Sequence, residues 1–141
     1  MAQYNEIDIL IDASGDLVLD SSKNFKFANS RETLQQDIMF RARTEFNDFE
    51  PHPEIGADLQ SLVGEPNTRE NAAMGEKKLF TSLTKDGRMV PQDLRVKAVP
   101  LDMYRIAMYT FVNSSNEDVN VVTASVLDYE NGILNTPGGG E

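Results

Sequence analysis

Cysteine and tryptophan are absent from the 141 residues, and His52 is the only histidine. Without cysteine there is no disulfide framework, no thiol nucleophile and no thiolate metal site. One imidazole excludes the paired-histidine zinc motifs and leaves a single side chain for acid–base work near neutrality. Basic charge is scarce too: 13 Lys and Arg face 23 Asp and Glu, a formal net charge of −10. Phosphate recognition needs clustered Lys and Arg, so nucleic acid is not expected as a partner. An anionic membrane surface is disfavoured for the same reason. The pair Arg41 and Arg43 is offset by Glu45, Asp48 and Glu50. No apolar run approaches the ~20 residues that span a bilayer. Residues 1–6 carry no positive n-region, so no signal peptide is expected, and synthesis in a reducing cytoplasm is. A Gly-x-Ser-x-Gly elbow, a phosphate loop and a dinucleotide fingerprint are all missing. No cofactor, no metal and no enzymatic activity are expected.

What is present suffices for one folded domain. Hydrophobic residues make up 40% and charged residues 26%, which argues against wholesale disorder. Residues 1–134 are expected to form the domain. Residues 135–141, with Pro137-Gly138-Gly139-Gly140, are expected as a flexible tail. No internal repeat is apparent.

Ile7, Ile9 and Ile11 alternate with Asp8, Leu10 and Asp12 as a strand does. Residues 13–16 read as a turn, residues 17–19 as the return strand, and residues 25–27 as another short extended piece. Asn29 with Glu32 forms a capping box before a helix carrying Leu34, Ile38 and Ala42, ending near Thr44. Pro51 and Pro53 make residues 46–53 irregular. A second helix is expected from Pro53 to Gly64, with Ile55, Leu59, Leu62 and Val63 as its apolar stripe. A third starts at Asn67 or Thr68, carries Ala72, Leu79, Phe80 and Leu83, and closes at Asp86-Gly87. Gly75 inside it costs ~1 kcal/mol relative to Ala and marks a close approach. Residues 94–99 read as an edge strand stopped by Pro100. Residues 104–112 and 119–127 pair as a hairpin around a polar loop. The fold class is α+β: a single domain, mainly antiparallel sheet, with three helices packed on it.

Three groups of residues suggest chemistry. Glu45, Asp48, Glu50, Glu54 and Asp58 cluster around His52. Two carboxylates held ~5–10 Å apart, one protonated in apolar surroundings such as Phe46 and Phe49, would suit glycoside hydrolysis. The competing reading, a solvated acidic loop with Glu54 at a helix start, is preferred. Asp12, Ser14, Asp16 and Asp20 fail as a calcium loop, because Gly15 comes too early and Lys23 stands where the closing glutamate belongs. The strands themselves are the third group. Val96, Ala98, Tyr104, Ile106, Met108, Tyr109, Phe111, Val119, Val121 and Val126 lie on long strands, and an open edge among them would accept a partner's strand. An ordinary edge protected by Pro100 and charge is the plain alternative.

The middle of the chain resembles a known family. The run Ser30-Arg31-Glu32-Thr33-Leu34-Gln35-Gln36-Asp37-Ile38, then Arg41 and Thr44, then His52-Pro53-Glu54-Ile55-Gly56-Ala57-Asp58-Leu59 and Leu62-Val63-Gly64-Glu65, looks like the baseplate wedge proteins of contractile phage tails. These are the tail sheath initiators, also described as lysozyme-like wedge proteins. Asp86-Gly87, Asp93-Leu94-Arg95-Val96 and Ala98-Val99-Pro100 continue the likeness, which covers about residues 5 to 112. The resemblance implies a fold like one repeat of the conserved sheath domain. It implies six copies around the tube in the virion baseplate. Its implied partners are the tail sheath protein, joined by strand exchange, and other wedge and tube or hub proteins. It also implies structural roles for Gln36, Arg41, Ile55, Gly56, Asp58, Leu59, Gly64, Pro91 and Arg95. The chain departs from the family at a Glu-Pro-Arg core motif. Here the stretch reads Val90-Pro91-Gln92, so only Pro91 matches, and Arg95 is the candidate for the missing cation. The older lysozyme label would make the chain a muramidase working through residues 45–58.

Overall fold

The computed structural model describes residues 4, 6–12, 14–114, 119–128 and 134–135, with the backbone alone at 119, 134 and 135. The N-terminal residues form a small sheet of their own. Strand β1 (Asp8–Ile9) pairs antiparallel with β2 (Phe27–Ala28), and isolated bridges join Ile11 to Leu17 and Leu19 to Phe25. Two turns connect these pieces, and they are built alike. The Asp12 carboxylate accepts from the amides of Ser14 and Asp16. Eight residues on, the Asp20 carboxylate accepts from the amides of Ser22 and Asn24. Such side-chain-capped turns are what Asp does best outside regular structure. The turn unit occurs twice, with Lys23 at φ +64° where the first copy has Gly15 at +95°.

Helix α1 (Ser30–Arg43) starts as its capping box requires. The Asn29 side chain accepts from the Glu32 amide at 2.9 Å and donates to the Glu32 carboxylate at 2.8 Å. Helix α2 (Arg69–Thr84) is capped by Thr68, whose hydroxyl accepts from the Asn71 amide. Asn67 serves elsewhere, donating to the carbonyls of Asp102 and Arg105 and so tying the helix start to the turn before the next strand. The main sheet follows: β3 (Leu94–Pro100), β4 (Arg105–Ser114), β5 (Val119–Asp128) and the two-residue β6 (Leu134–Asn135), all antiparallel in the order β3-β4-β5-β6.

The expected arrangement of three helices on one sheet is overturned: among the described residues there are two α-helices and two separate sheets. Residues 53–64 form only a 3-10 turn, Leu59–Leu62. The backbone is left-handed at Gly56 (φ +134°), Asp58 (φ +56°) and Gly64 (φ +87°), and no helix passes through such residues. The spaced apolar residues reach the core without one, since Ala57, Leu59 and Leu62 are buried. Of the expected tail, only Asn135 is described; residues 136–141 and the loop residues 115–118 lie outside the described residues.

Both helices cover one face of the main sheet. Alternation sends Leu94, Ala98, Ile106, Met108, Val112, Val121 and Leu127 inward against Leu34 and Ile38 of α1 and Leu79 and Leu83 of α2. Each of these side chains except Ala98 stabilises by ~1.5–3 kcal/mol through burial. Gly75 does mark a close approach: a Cβ there would stand 2.6 Å from Met108 Cε and 3.3 Å from Leu62 Cδ1. Tyr4, buried against this core, donates to the Asp93 carboxylate and accepts from the Val90 amide.

Candidate functional site

The direction of each strand amide decides what the sheet can bind. In an antiparallel ladder one residue's amide and carbonyl both point to the same side, and neighbours alternate. The Ala98 amide points away from β4, because it donates to the Glu76 carboxylate at 2.7 Å. Leu94, Val96 and Pro100 share its direction. Leu94 donates to the Pro91 carbonyl, and Pro100 has no amide hydrogen, so only Val96 keeps an outward donor on this edge. The β3 edge is therefore blocked. Strand β4 is paired on both sides. At the far edge the geometry reverses. The Asn113 amide donates to Asp93, placing the odd residues of β4 toward β3 and its even residues toward β5. In register, the even residues of β5 point outward. Strand β6 meets only Val126 and Leu127. Among the described residues no strand lies against Asn120, Val122 and Ala124.

The ten candidate platform residues thus separate. Ile106, Met108 and Val121 are fully buried and Ala98 nearly so, and these are core rather than surface. Val96 also points inward and is half-buried. Tyr109, Phe111 and Val126 point to the outer face, where Phe111 lies between Arg95 and Val122. Tyr104 is exposed and precedes β4, and Val119 begins β5. Among the described residues, the β5 edge alone joins outward side chains to backbone that no strand lies against.

The family-motif residues are brought to structural posts. Buried Gln36 accepts from the Ile11 amide and donates to the Ile9 carbonyl, fastening the small sheet to α1. Arg41 grips Asp86 through two bonds of 2.9 and 2.7 Å and also donates to the Ser82 carbonyl. That fork holds the Asp86 carboxyl below its ordinary range. Asp58 pairs with Lys78 at 2.9 Å. Leu59 is buried, Ile55 half-buried, and Gly64 turns the chain in open space. Pro91 is exposed and anchors the Leu94 amide. Arg95 is exposed on β3 and supplies no buried cation. Arg88 does that instead, pairing with Asp37 at 2.7 Å and Glu6 at 3.6 Å. Burial nevertheless raises the Asp37 carboxyl, outweighing the pull of Arg88. Nothing in local spacing marks Arg88, because its partner Asp37 lies 51 residues away.

The acidic loop is tied into the fold. Glu45 accepts from the Gln60 amide at 3.3 Å, and its own amide donates to Asp48. Burial lifts the Glu45 carboxyl above its ordinary value, and the nearby Asp58 and Asp48 carboxylates add to the rise. Glu50 is exposed on a turn, and His52 sits 3.6 Å from Glu54 at the surface. Neither Glu45 nor Glu50 lines the clefts beside the loop. A raised carboxylate pKa means the folded state binds its proton more tightly, so this group adds stability as pH falls from neutral toward 4.5. Glu45→Gln imitates the protonated form. Its melting temperature should gain on wild type at pH 7, and the gap should close below pH 4.5; a gap independent of pH would contradict this. Among the described residues no group of His, Asp or Glu could hold a metal ion, and no helix is long and apolar enough to cross a membrane.

The small N-terminal sheet presents an apolar face that the sequence suggested only as alternation. Pairing sets Ile9 opposite Phe27, Ile11 opposite Leu17 and Leu19 opposite Phe25. Ile7 and Phe27 are 71% and 68% exposed. Leu17, Leu19 and Phe25 are exposed as well. Compared with known proteins, the chain matches no family model, no curated protein and no solved structure.

Proposed function

We propose that this chain is a non-enzymatic structural subunit of a contractile tail baseplate, and that it starts sheath assembly by accepting a strand from the tail sheath protein. The observation that carries this reading is the asymmetry of the main sheet. One edge is closed by Glu76, Pro91 and Pro100, while the outward amides and carbonyls of Asn120, Val122 and Ala124 meet no strand among the described residues. An added strand would gain main-chain hydrogen bonds along that row, with alternate side chains fixing register. Phe111 and Val122, 38% and 45% exposed, give its side chains an apolar footing. The exposed face around Phe25 and Phe27 suits contact with other wedge or tube proteins. The motif likeness over about residues 5 to 112 supplies the contractile-tail context, with six copies in the virion baseplate after synthesis in the host cytoplasm. Purified chain mixed with its cognate sheath protein should seed sheath rings and shorten the lag of polymerisation. Sheath that polymerises equally well without it would defeat the proposal.

The rival muramidase reading rests on the raised Glu45 carboxyl. Against it stand the bonds that spend Glu45 on Gln60 and Asp58 on Lys78. Peptidoglycan turnover by wild type, Glu45→Gln and Glu50→Gln separates the two. Activity abolished by either substitution would favour the enzyme.

A further inference from the structure

Three of the chain's six lysines converge on one groove, although the chain as a whole carries a net charge of −10. Lys77, Lys78 and Lys85 rim a cleft of about 300 Å³ between α2 and the loop that follows α1, and Phe46, Ala57 and Met74 give it apolar walls. Phe46 and Met74 are 46% and 49% exposed. Lys78 is held by Asp58, and Lys85 lies 5.8 Å from the Phe46 ring with its ammonium 3.5 Å from the Glu54 carbonyl. Lys77 has no ion pair among the described residues. Ser82 and Lys85 also line a neighbouring cleft with Arg41, His52, Glu54, Ile55 and Asp86, where Asp86 is paired with Arg41. Together the two run along α2 from Met74 to Lys85, roughly 16 Å at ~1.5 Å per residue, which matches about five residues of extended chain at ~3.3 Å each.

We propose that this groove docks an acidic segment of a partner protein, extended and carrying one apolar anchor side chain. The anchor fills the cleft between Phe46 and Met74, where the lysine stems complete an apolar wall. Carboxylates on either side of it meet the ammonium groups of Lys77 and Lys85. The charge is complementary only locally. Asp58 is engaged by Lys78 and Asp86 by Arg41, so the cations left to meet an incoming carboxylate are Lys77 and Lys85, whereas a second whole copy brings a net charge of −10 against this chain's own. This site is separate from the β5 edge and does not rest on the sheath reading.

A blocked synthetic peptide, Asp-Glu-Phe-Asp-Glu, and its charge-inverted form, Lys-Arg-Phe-Lys-Arg, test it on the full isotope-labelled chain. The acidic peptide should shift the amide signals of Met74, Lys77, Thr81 and Lys85, and its affinity should fall as salt rises. The double variant Lys77→Glu with Lys85→Glu should weaken binding about tenfold or more, and Met74→Ser should weaken it without changing the salt dependence. All these side chains are at least partly exposed, and unchanged melting curves will verify the fold. No shift at millimolar peptide, equal binding of the inverted peptide, or unaltered affinity in the variants would overturn the site. Self-association of the free chain that the same variants abolish would overturn the partner and make a second copy the occupant.

Discussion

Gly56→Ala should be among the most destabilising single-methyl changes in this chain, at about 3–4 kcal/mol. Two costs combine. At φ +134° an L side chain is strained whatever space surrounds it. The added Cβ would also stand 2.6 Å from the Thr44 carbonyl oxygen and 2.9 Å from the Glu45 carbonyl carbon. Both are backbone atoms, so no rotamer relieves the collision. The approach cannot simply open, because the Ala57 amide donates to that same Thr44 carbonyl at 3.0 Å and the Asn47 amide to Pro53 at 2.8 Å. These bonds close the loop against the end of α1 and drive Ala57 and Leu59 into the core. Gly64 provides the comparison. It has φ +87° and nothing within 4 Å of a built Cβ, so Gly64→Ala carries strain without collision and should cost about 1 kcal/mol. Thermal or urea unfolding of the pair checks both numbers. Equal losses would mean that the Thr44 contact contributes nothing.

The same residue explains why the sequence misled at this point. Ile55, Leu59, Leu62 and Val63 have helical spacing, and Pro53 and Gly64 stand where a helix would begin and end. An irregular loop that touches the core every few residues produces the same pattern, and only the backbone angles at Gly56 and Asp58 tell them apart. Where local chemistry and periodicity agreed, the structure follows the sequence. Asn29 and Glu32 start α1, the Leu34-Ile38-Ala42 row is buried, and the β4–β5 hairpin pairs in full. Contacts between distant residues left no local trace. Tyr4 with Asp93 and Arg88 with Asp37 are separated by 89 and 51 positions. The candidate site was half legible. Strand content announced a sheet that could be extended, but which edge is open depends on amide direction. That direction follows from register and from Glu76, a helix residue 22 positions before the amide it caps.

Amide direction also yields a substitution that should abolish the proposed sheath seeding while sparing the fold. Val122 points its amide out of the sheet, and its side chain is 45% exposed on the outer face. Val122→Pro removes one outward donor and puts a ring where an incoming strand would pair. Proline is tolerated on such an edge because no ladder bond among the described residues is lost, so the stability cost should stay near 1 kcal/mol. Co-assembly with the sheath protein should drop at least tenfold, since the missing donor and the ring's bulk interrupt the row at its centre. Two further substitutions control the result. Thr123 is 4% exposed and its amide faces Thr110 of β4, so Thr123→Pro should break the central hairpin and lose about 3 kcal/mol or more. Val96 carries the last outward donor of the β3 edge, and Val96→Pro should leave seeding unchanged because that edge is already closed by Glu76 and Pro100. Seeding measured beside melting curves separates the three. If Val122→Pro seeds as well as wild type, the β5 edge is not the acceptor; if Val96→Pro alone fails, the sheath strand adds at β3 and the direction argument is reversed.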